Sequence, residues 1–341
     1  MKILLVGMDW HGGITQYCKN ALKEFGHELE LFMYEKTPVA LTLWERARNK
    51  LYRSFRLYHT SSKEVEIQKM NNNLLSEALA LRPDMLFIIK GETIFPETLE
   101  QIKKKTEAVI ISWWIDNPLL ECNGPYILKS TLYIDHLFIF DTFYVDYLKK
   151  AGFKNVSYLP FACDPKVHKK VRLTLEEKRL YSSDVSFLGI FYGFRQEILS
   201  QLFDYDLKIW GIGDKAFSDR FKGKVSNRLI PIEEATKIYN ASKIVLNINH
   251  PQSVNGTNTR TFESAGCAAF QLTENKPEMK NLFLLGEEAI CYSGVNELRS
   301  LIKYYLEHPE EREKIAKRGQ ARAYQDHTYK KRMQTVLETI G

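Results

Sequence analysis

Short β-rich runs, most of them apolar and four to six residues long, recur along almost the whole chain with helical stretches between them. In the first half they fall at residues 3–6, 28–33, 85–89, 108–112, 136–140 and 156–159. Helical patterns occupy 14–25, 63–81, 96–105 and 142–151. A strand that is apolar throughout must be covered on both faces, and a helix between successive strands makes the crossover that a parallel sheet needs. The rhythm breaks over 166–179, which is dense in charge and follows Asp164-Pro165. It then restarts, with strands expected at 184–189, 206–210, 228–230, 243–248, 268–272 and 289–292. Helices are expected at 194–202, 232–241, 260–265, 295–307 and 310–325, and a last amphipathic one at 329–340. The pattern predicts two α/β domains, 1–165 and 183–328, each with strand ends where ligands bind in such sheets.

Composition narrows the function classes. Hydrophobic residues at 44% and charged residues at 26% are those of a globular chain, which argues against disorder. The net charge of +6 suits an anionic ligand or surface without arguing for nucleic acid. The five cysteines (Cys18, Cys122, Cys163, Cys267 and Cys291) are scattered and form no CxxC, which fits reduced thiols better than a disulfide framework or zinc site. The apolar N-terminal run reads as a first strand and not a signal peptide. No apolar run approaches the ~20 residues of a membrane span, and a soluble, cytoplasmic protein is expected.

The most informative stretch is 255–263, NGTNTRTFE, between the apolar run 243–248 and a second one at 268–272. A polar loop feeding a helix offers free backbone N–H groups and the positive end of a dipole, which favour phosphate. Arg260 adds a planar fork of donors, and Glu263 a carboxylate that can accept from neighbouring ribose hydroxyls. A capping Asn with an Arg/Glu pair is the plainer reading. Arg195, in the turn IFYGFRQ (190–196) after the strand that ends at Gly189, would face the same strand ends as Arg260.

Other positions stay open between two readings. Gly12-Gly13 after the first strand allows close approach of a ligand or makes a tight turn; there is no GxGxxG. Asp116, in SWWIDNP (112–118), lies in an apolar, constrained turn where burial raises a carboxyl's pKa toward a general base's, or it starts an Asx turn before Pro118. His11 and His250 lie just beyond strand ends, as structural or ligand-contact residues. The stretch 44–56 carries five basic residues interleaved with Tyr52 and Phe55, fitting a solvated helix face, a peripheral membrane contact or an acidic acceptor. No GxxxxGK[ST], HExxH, GxSxG or zinc-spaced set is present, so no metal is expected.

The residues NTRTFESAGC (258–267), DVSFLG (184–189) with Arg195 after it, and the region 301–332 resemble the C-terminal domain of two-domain GT-B glycosyltransferases. The likeness is to the CgeB-like, spore-maturation-type branch, with a family 4-like C-terminal domain. PDMLFIIKG (83–91) and WIDNP (114–118) resemble the domain that accompanies it, and a looser likeness is to phage DNA glucosyltransferases through Arg260–Glu263 and Asp116. The resemblance implies two Rossmann-like parallel-sheet domains facing a central cleft, with the helix at 329–341 returning to the first. It implies transfer of a sugar from a nucleotide-diphosphate sugar, UDP- or TDP-linked, with no other cofactor. The acceptor would be a glycan, protein, lipid-linked saccharide or DNA, held by the first domain. Arg260 and Asp116 are then the expected catalytic groups, and Gly12, Gly13, Gly189, Arg195, His250, Asn255, Asn258 and Glu263 the expected donor contacts. In retaining relatives a Glu-x7-Glu pair is usual; here Asn255 takes the first place, so that carboxylate is missing. A non-catalytic nucleotide-sugar binder and a DNA-modifying enzyme are the alternatives.

Overall fold

The structure is a computed structural model and describes residues 1–8, 13–34, 58–120 and 126–340, with side chains from residue 65 onward in the long helix that opens at Tyr58. Gly12, His11, Cys122 and the basic stretch 44–56 lie outside the described residues. The chain divides into two compact units. Met1–Phe140 and Tyr144–Leu159 make up the first, and Asp141–Phe143 and Pro160–Thr339 the second.

The first unit runs β1 (Lys2–Gly7), α1 (Ile14–Glu24), β2 (Glu28–Met33), α2 (Tyr58–Leu81), β3 (Met85–Ile89), α3 (Pro96–Thr106), β4 (Val109–Trp114), β5 (His136–Ile139), α4 (Thr142–Lys150, whose first two residues count with the second unit) and β6 (Val156–Tyr158). All six strands are parallel, in the order β2-β1-β3-β4-β5-β6. Leu5 stands in register with Leu31 on one side and Phe87 on the other. Residues Ile3–Val6 and Met85–Ile89 are buried throughout, as strands covered on both faces must be. One core joins Leu4, Val6, Leu86, Ile88 and Ile110 to Met70, Leu74, Leu99 and Ile102 from α2 and α3.

The second unit runs α5 (Leu175–Tyr181), β7 (Ser183–Leu188), α6 (Phe194–Ser200), β8 (Leu207–Gly211), β9 (Val225–Asn227), α7 (Ile232–Ala241), β10 (Ser242–Asn247), α8 (Thr259–Gly266), β11 (Gln271–Glu274), β12 (Ile290–Tyr292), α9 (Val295–Glu307), α10 (Pro309–Asp326) and α11 (Tyr329–Ile340). Its parallel order is β12-β11-β10-β7-β8-β9. Val185, Phe187, Ile244 and Leu246 face one helical layer, with Leu298 and Ile302. Leu188 and Val245 face the other, with Ile238 and Tyr239. Alternate residues thus feed opposite cores, which is why the strands read as continuous apolar runs.

Three local differences from expectation have identifiable causes. The strand expected at 228–230 lies at Val225–Asn227, where Val225 pairs with Ile209, and 228–230 instead leads into Pro231. The run 268–272 begins as a turn, with Ala268 at φ 51°, so β11 starts only at Gln271. The charge-dense 166–179 contains the start of α5, closed by a capping box: Thr174 Oγ1 accepts from Glu177 N–H, and Glu177 accepts from Thr174 N–H. Among the described residues no helix is long and apolar enough to cross a membrane.

Candidate functional site

In each sheet the strand order reverses once, between β1 and β3 and between β7 and β10. Loops leaving neighbouring strands part there, and the gap at their carboxyl ends is where open α/β sheets take ligands. The segments at 189–195 and 248–260 flank this point in the second unit.

Gly189 ends β7 at φ +153°, its N–H donating to Trp210 O at 2.8 Å. A Cβ on it would lie 3.2 Å from Arg260 Nε. Gly193 then caps α6, whose second residue is Arg195. The Arg195 side chain is buried, with Nη1 donating to Ile190 O at 2.6 Å and Nη2 to Ile248 O at 2.7 Å. The guanidinium therefore clasps the loop after β7 to the end of β10, close to the rings of Phe187 and Tyr192. Burial, and then the neighbouring Arg260, push its pKa down to about 10, which leaves it charged at neutral pH.

Arg260 enters from the other side. Asn258 caps α8 by accepting from Arg260 N–H at 3.0 Å, and its own Nδ2 donates to Asn247 Oδ1 at 2.8 Å. The Arg260 side chain crosses to β7 and donates through Nε to Leu188 O. Among the described residues its Nη groups have no hydrogen-bond partner, and neither Arg195 nor Arg260 has an ion-pair partner. Two guanidiniums near one glycine turn, neither of them ion-paired among the described residues, raise a positive potential that favours an anion.

Glu263 follows one turn later in α8, buried, and accepts from Tyr239 Oη at 3.3 Å. It lies close enough to His168 to oppose the effect of burial, which still holds that imidazole below its ordinary pKa. His250 is half-buried beside the Tyr192 ring, and its Nδ1 accepts from Gln252 N–H at 3.1 Å.

Asn255 serves a tie that sequence reading missed. Asp141, fully buried, accepts from the N–H groups of Val254 (2.8 Å), Asn255 (3.1 Å) and Gly256 (3.0 Å). Asn255 Nδ2 donates to Thr142 Oγ1 at 3.1 Å, and its carbonyl accepts from Glu278 N–H. The loop that feeds α8 is thus wrapped around a carboxylate. The signal available was an aspartate directly after an apolar strand, which marks a strand end but not its partners.

Gly13 and Asp116 belong to the first unit. Gly13 caps α1. Asp116, past the end of β4, lies 2.8 Å from Lys90 Nζ, and Glu92 lies 3.4 Å from the same ammonium. Tyr34, just past β2, donates to Glu92 at 2.8 Å. Lys90 (φ 65°) and Gly91 (φ 79°) are both left-handed, and a Cβ at 91 would meet Ile88 Cγ2 at 2.6 Å. A lysine held in that conformation just past a strand end is local strain of the kind found at functional sites. Burial lowers the Lys90 pKa, but Asp116 and Glu92 outweigh it and hold the ammonium above its ordinary value.

Residues 194–338 match the family described as glycosyl transferase-like. The spore protein CgeB of Bacillus subtilis (strain 168) is 24% identical over 277 residues, covering 76% of this chain and 83% of that protein. A sucrose-phosphate synthase from Thermosynechococcus elongatus superposes with a TM-score of 0.68 at 11% identity, covering 100% of this chain and 98% of that one. The HepE protein of Anabaena, solved with UDP and glucose, does so at 0.65 and 12%, covering 100% and 99%. The lipopolysaccharide outer core galactosyltransferase WaaB gives 0.60 and 12%, covering 100% and 99%. The second unit therefore carries a glycosyl transferase-like domain, and the chain, built on the GT-B fold, is a distant homologue of CgeB over most of its length.

Proposed function

We propose that the protein is a glycosyltransferase that moves a sugar from a nucleotide-diphosphate sugar to an acceptor hydroxyl. The observation that carries this is the pair Arg195 and Arg260 on either side of Gly189, at the strand-order reversal, with no ion-pair partner among the described residues. A diphosphate supplies the missing charge. HepE, similar in fold, was solved with UDP and glucose, which favours a UDP-linked donor.

The residues divide the work by chemistry. Glu263 accepts from the ribose hydroxyls, and Arg260 with the N-terminus of α8 holds the diphosphate. As the acceptor oxygen bonds to the anomeric carbon, the bond from that carbon to the diphosphate oxygen breaks. The diphosphate leaves with the electron pair, and fixed positive charge stabilises it most as that charge develops. The acceptor's proton passes to the Asp116 carboxylate, which is ion-paired with Lys90. An oxocarbenium-like sugar lies between, as in other glycosyl transfers.

A thermal-shift screen of nucleotide sugars, UDP-glucose first, tests the reading, since a ligand that binds only the folded state raises Tm. A rise is expected for the native chain and its loss in Arg260→Ala and Glu263→Ala. No shift with any nucleotide sugar would overturn the proposal.

A further inference from the structure

The second unit has a cleft of about 530 Å³ at the opposite end of its sheet from Gly189. It opens at the amino ends of β10 and β11, against one side of α10, with Lys170 closing it from the segment before α5. Its apolar part is Phe270, Ala269 and Ala316, and its wall includes Tyr239, whose hydroxyl bonds Glu263. That volume falls among ordinary small-molecule sites, which run from about 300 to 1,000 Å³.

The charge is one-sided. Lys170, Lys243, Arg312 and Lys317 line the cleft, against Glu313 alone. Lys243 is answered by Asp184 at 2.7 Å. Lys170, Arg312 and Lys317 have no ion-pair partner among the described residues. Arg312 is partly buried, and burial pulls its pKa below the ordinary value against the opposing pull of Glu313 and Asp184. Arg312 and Lys317 share α10, but Lys170 and Lys243 come from segments far from it in sequence, so no single helix pattern explains the meeting of all four. Like charges gathered in a concave, half-apolar space repel one another until an anion joins them. Ala268, on the same wall, holds φ 51°, an uncommon conformation for a residue with a Cβ.

We propose that this cleft is a second anion site, separate from the candidate donor site, that takes a soluble phosphorylated small molecule. The basic rim would hold the phosphate, and Phe270 with the alanines would pack against the organic part. A concave space of this size fits a free phosphate ester better than the broad face of a membrane.

Isothermal titration of the full chain with inorganic pyrophosphate tests it. Two classes of site are expected, one lost in Arg260→Ala and the other weakened about tenfold or more in Lys170→Ala/Lys317→Ala. Both lysines are exposed, so that double variant should keep the native Tm. The two arms separate the two readings: failure of Arg260→Ala to remove a class counts against the donor site alone. Pyrophosphate binding unchanged in the lysine variant, or a single class that Arg260→Ala abolishes, would overturn the second site. So would co-sedimentation with phosphatidylglycerol vesicles that needs both lysines, in a chain whose pyrophosphate binding does not.

Discussion

Lys90 Nζ sits 2.8 Å from the Asp116 carboxylate and 3.4 Å from that of Glu92, an ammonium shared by two acids beyond the ends of β3 and β4. Replacing it by methionine leaves two carboxylates facing each other, so Lys90→Met should cost about 1–2 kcal/mol, discounted for partial exposure. The Lys90 pKa is raised in the fold. Its contribution is therefore full below the ordinary lysine value and is lost as pH rises through the folded one. The gap in stability between native and variant, measured by urea denaturation, should be constant from pH 7 to 9 and close at higher pH. A gap that does not narrow in alkali would show that the ammonium is not what the two acids hold.

If Asp116 receives the acceptor's proton, Asp116→Asn should lower turnover about 10²-fold or more, the usual range for a general base. Donor-induced stabilisation should stay as it is, because the candidate diphosphate ligands lie in the second unit. Equal loss of donor binding and turnover would assign Asp116 a different role.

Gly189→Ala probes the other unit. The new methyl would stand 3.2 Å from Arg260 Nε and 3.4 Å from its Cζ, on a backbone at φ +153° that a side chain rarely adopts. Arg260 must move, and its bond to Leu188 O is the tie that gives way. Donor affinity should fall about tenfold, the equivalent of ~1.4 kcal/mol, while the chain still folds. Titration calorimetry with UDP-glucose would measure it; native affinity would mean that Arg260 does not hold the donor.

Asp141 has no freedom to lose a partner. Its carboxylate is fully buried and accepts from three successive N–H groups at 254–256. Asparagine keeps the shape, but whichever way its amide turns, the NH₂ group faces an N–H donor, that of Phe143 or those at 254–256. Asp141→Asn should cost about 2–3 kcal/mol, in line with hydrogen bonds to a charged group. Chemical denaturation reads this directly, and a change within ±0.5 kcal/mol would place the loop's support elsewhere.

The sheets were legible because a parallel strand covered on both faces leaves a run of apolar residues that few other structures need. Ile3–Val6 and Met85–Ile89 are such runs, and both are strands. The loop at 255–263 was legible for a different reason, since an Asn cap and Arg260 stand together at the first turn of one helix. What stayed hidden depends on partners distant in sequence. Arg195 directs two donors at the carbonyls of Ile190 and Ile248, and backbone acceptors carry no residue signature. Asp141 meets residues 113 to 115 positions away. Lys90 could be seen in sequence, but its two acids could not be assigned to it. The cap Thr174–Glu177 was a local signal, masked by the charge around it.

His327 gives the last test, because its hydrogen bonds fix its protonation state. Arg332 Nη2 lies 3.0 Å from Nδ1 and, having no acceptor of its own, must donate to it. Nδ1 is then unprotonated, and Nε2–H donates to Leu282 O at 2.7 Å. The ring is therefore neutral. Burial, and next the Arg332 charge, push its pKa down to about 4, with the bond to Leu282 O and then Asp326 pulling the other way. A free histidine titrates near 6.5, so between these values the unfolded chain binds a proton that the folded chain refuses. The contribution of His327 is complete above about pH 6.5 and is lost as pH falls toward 4, roughly 3 kcal/mol in all. His136 and His168, also lowered by burial, add to the same acid limb. In His327→Gln the slope of stability against pH across this window should drop by about one proton while the fold persists at pH 7. An identical slope in the variant would mean that the ring already carries its proton in the fold, which the Arg332 bond forbids.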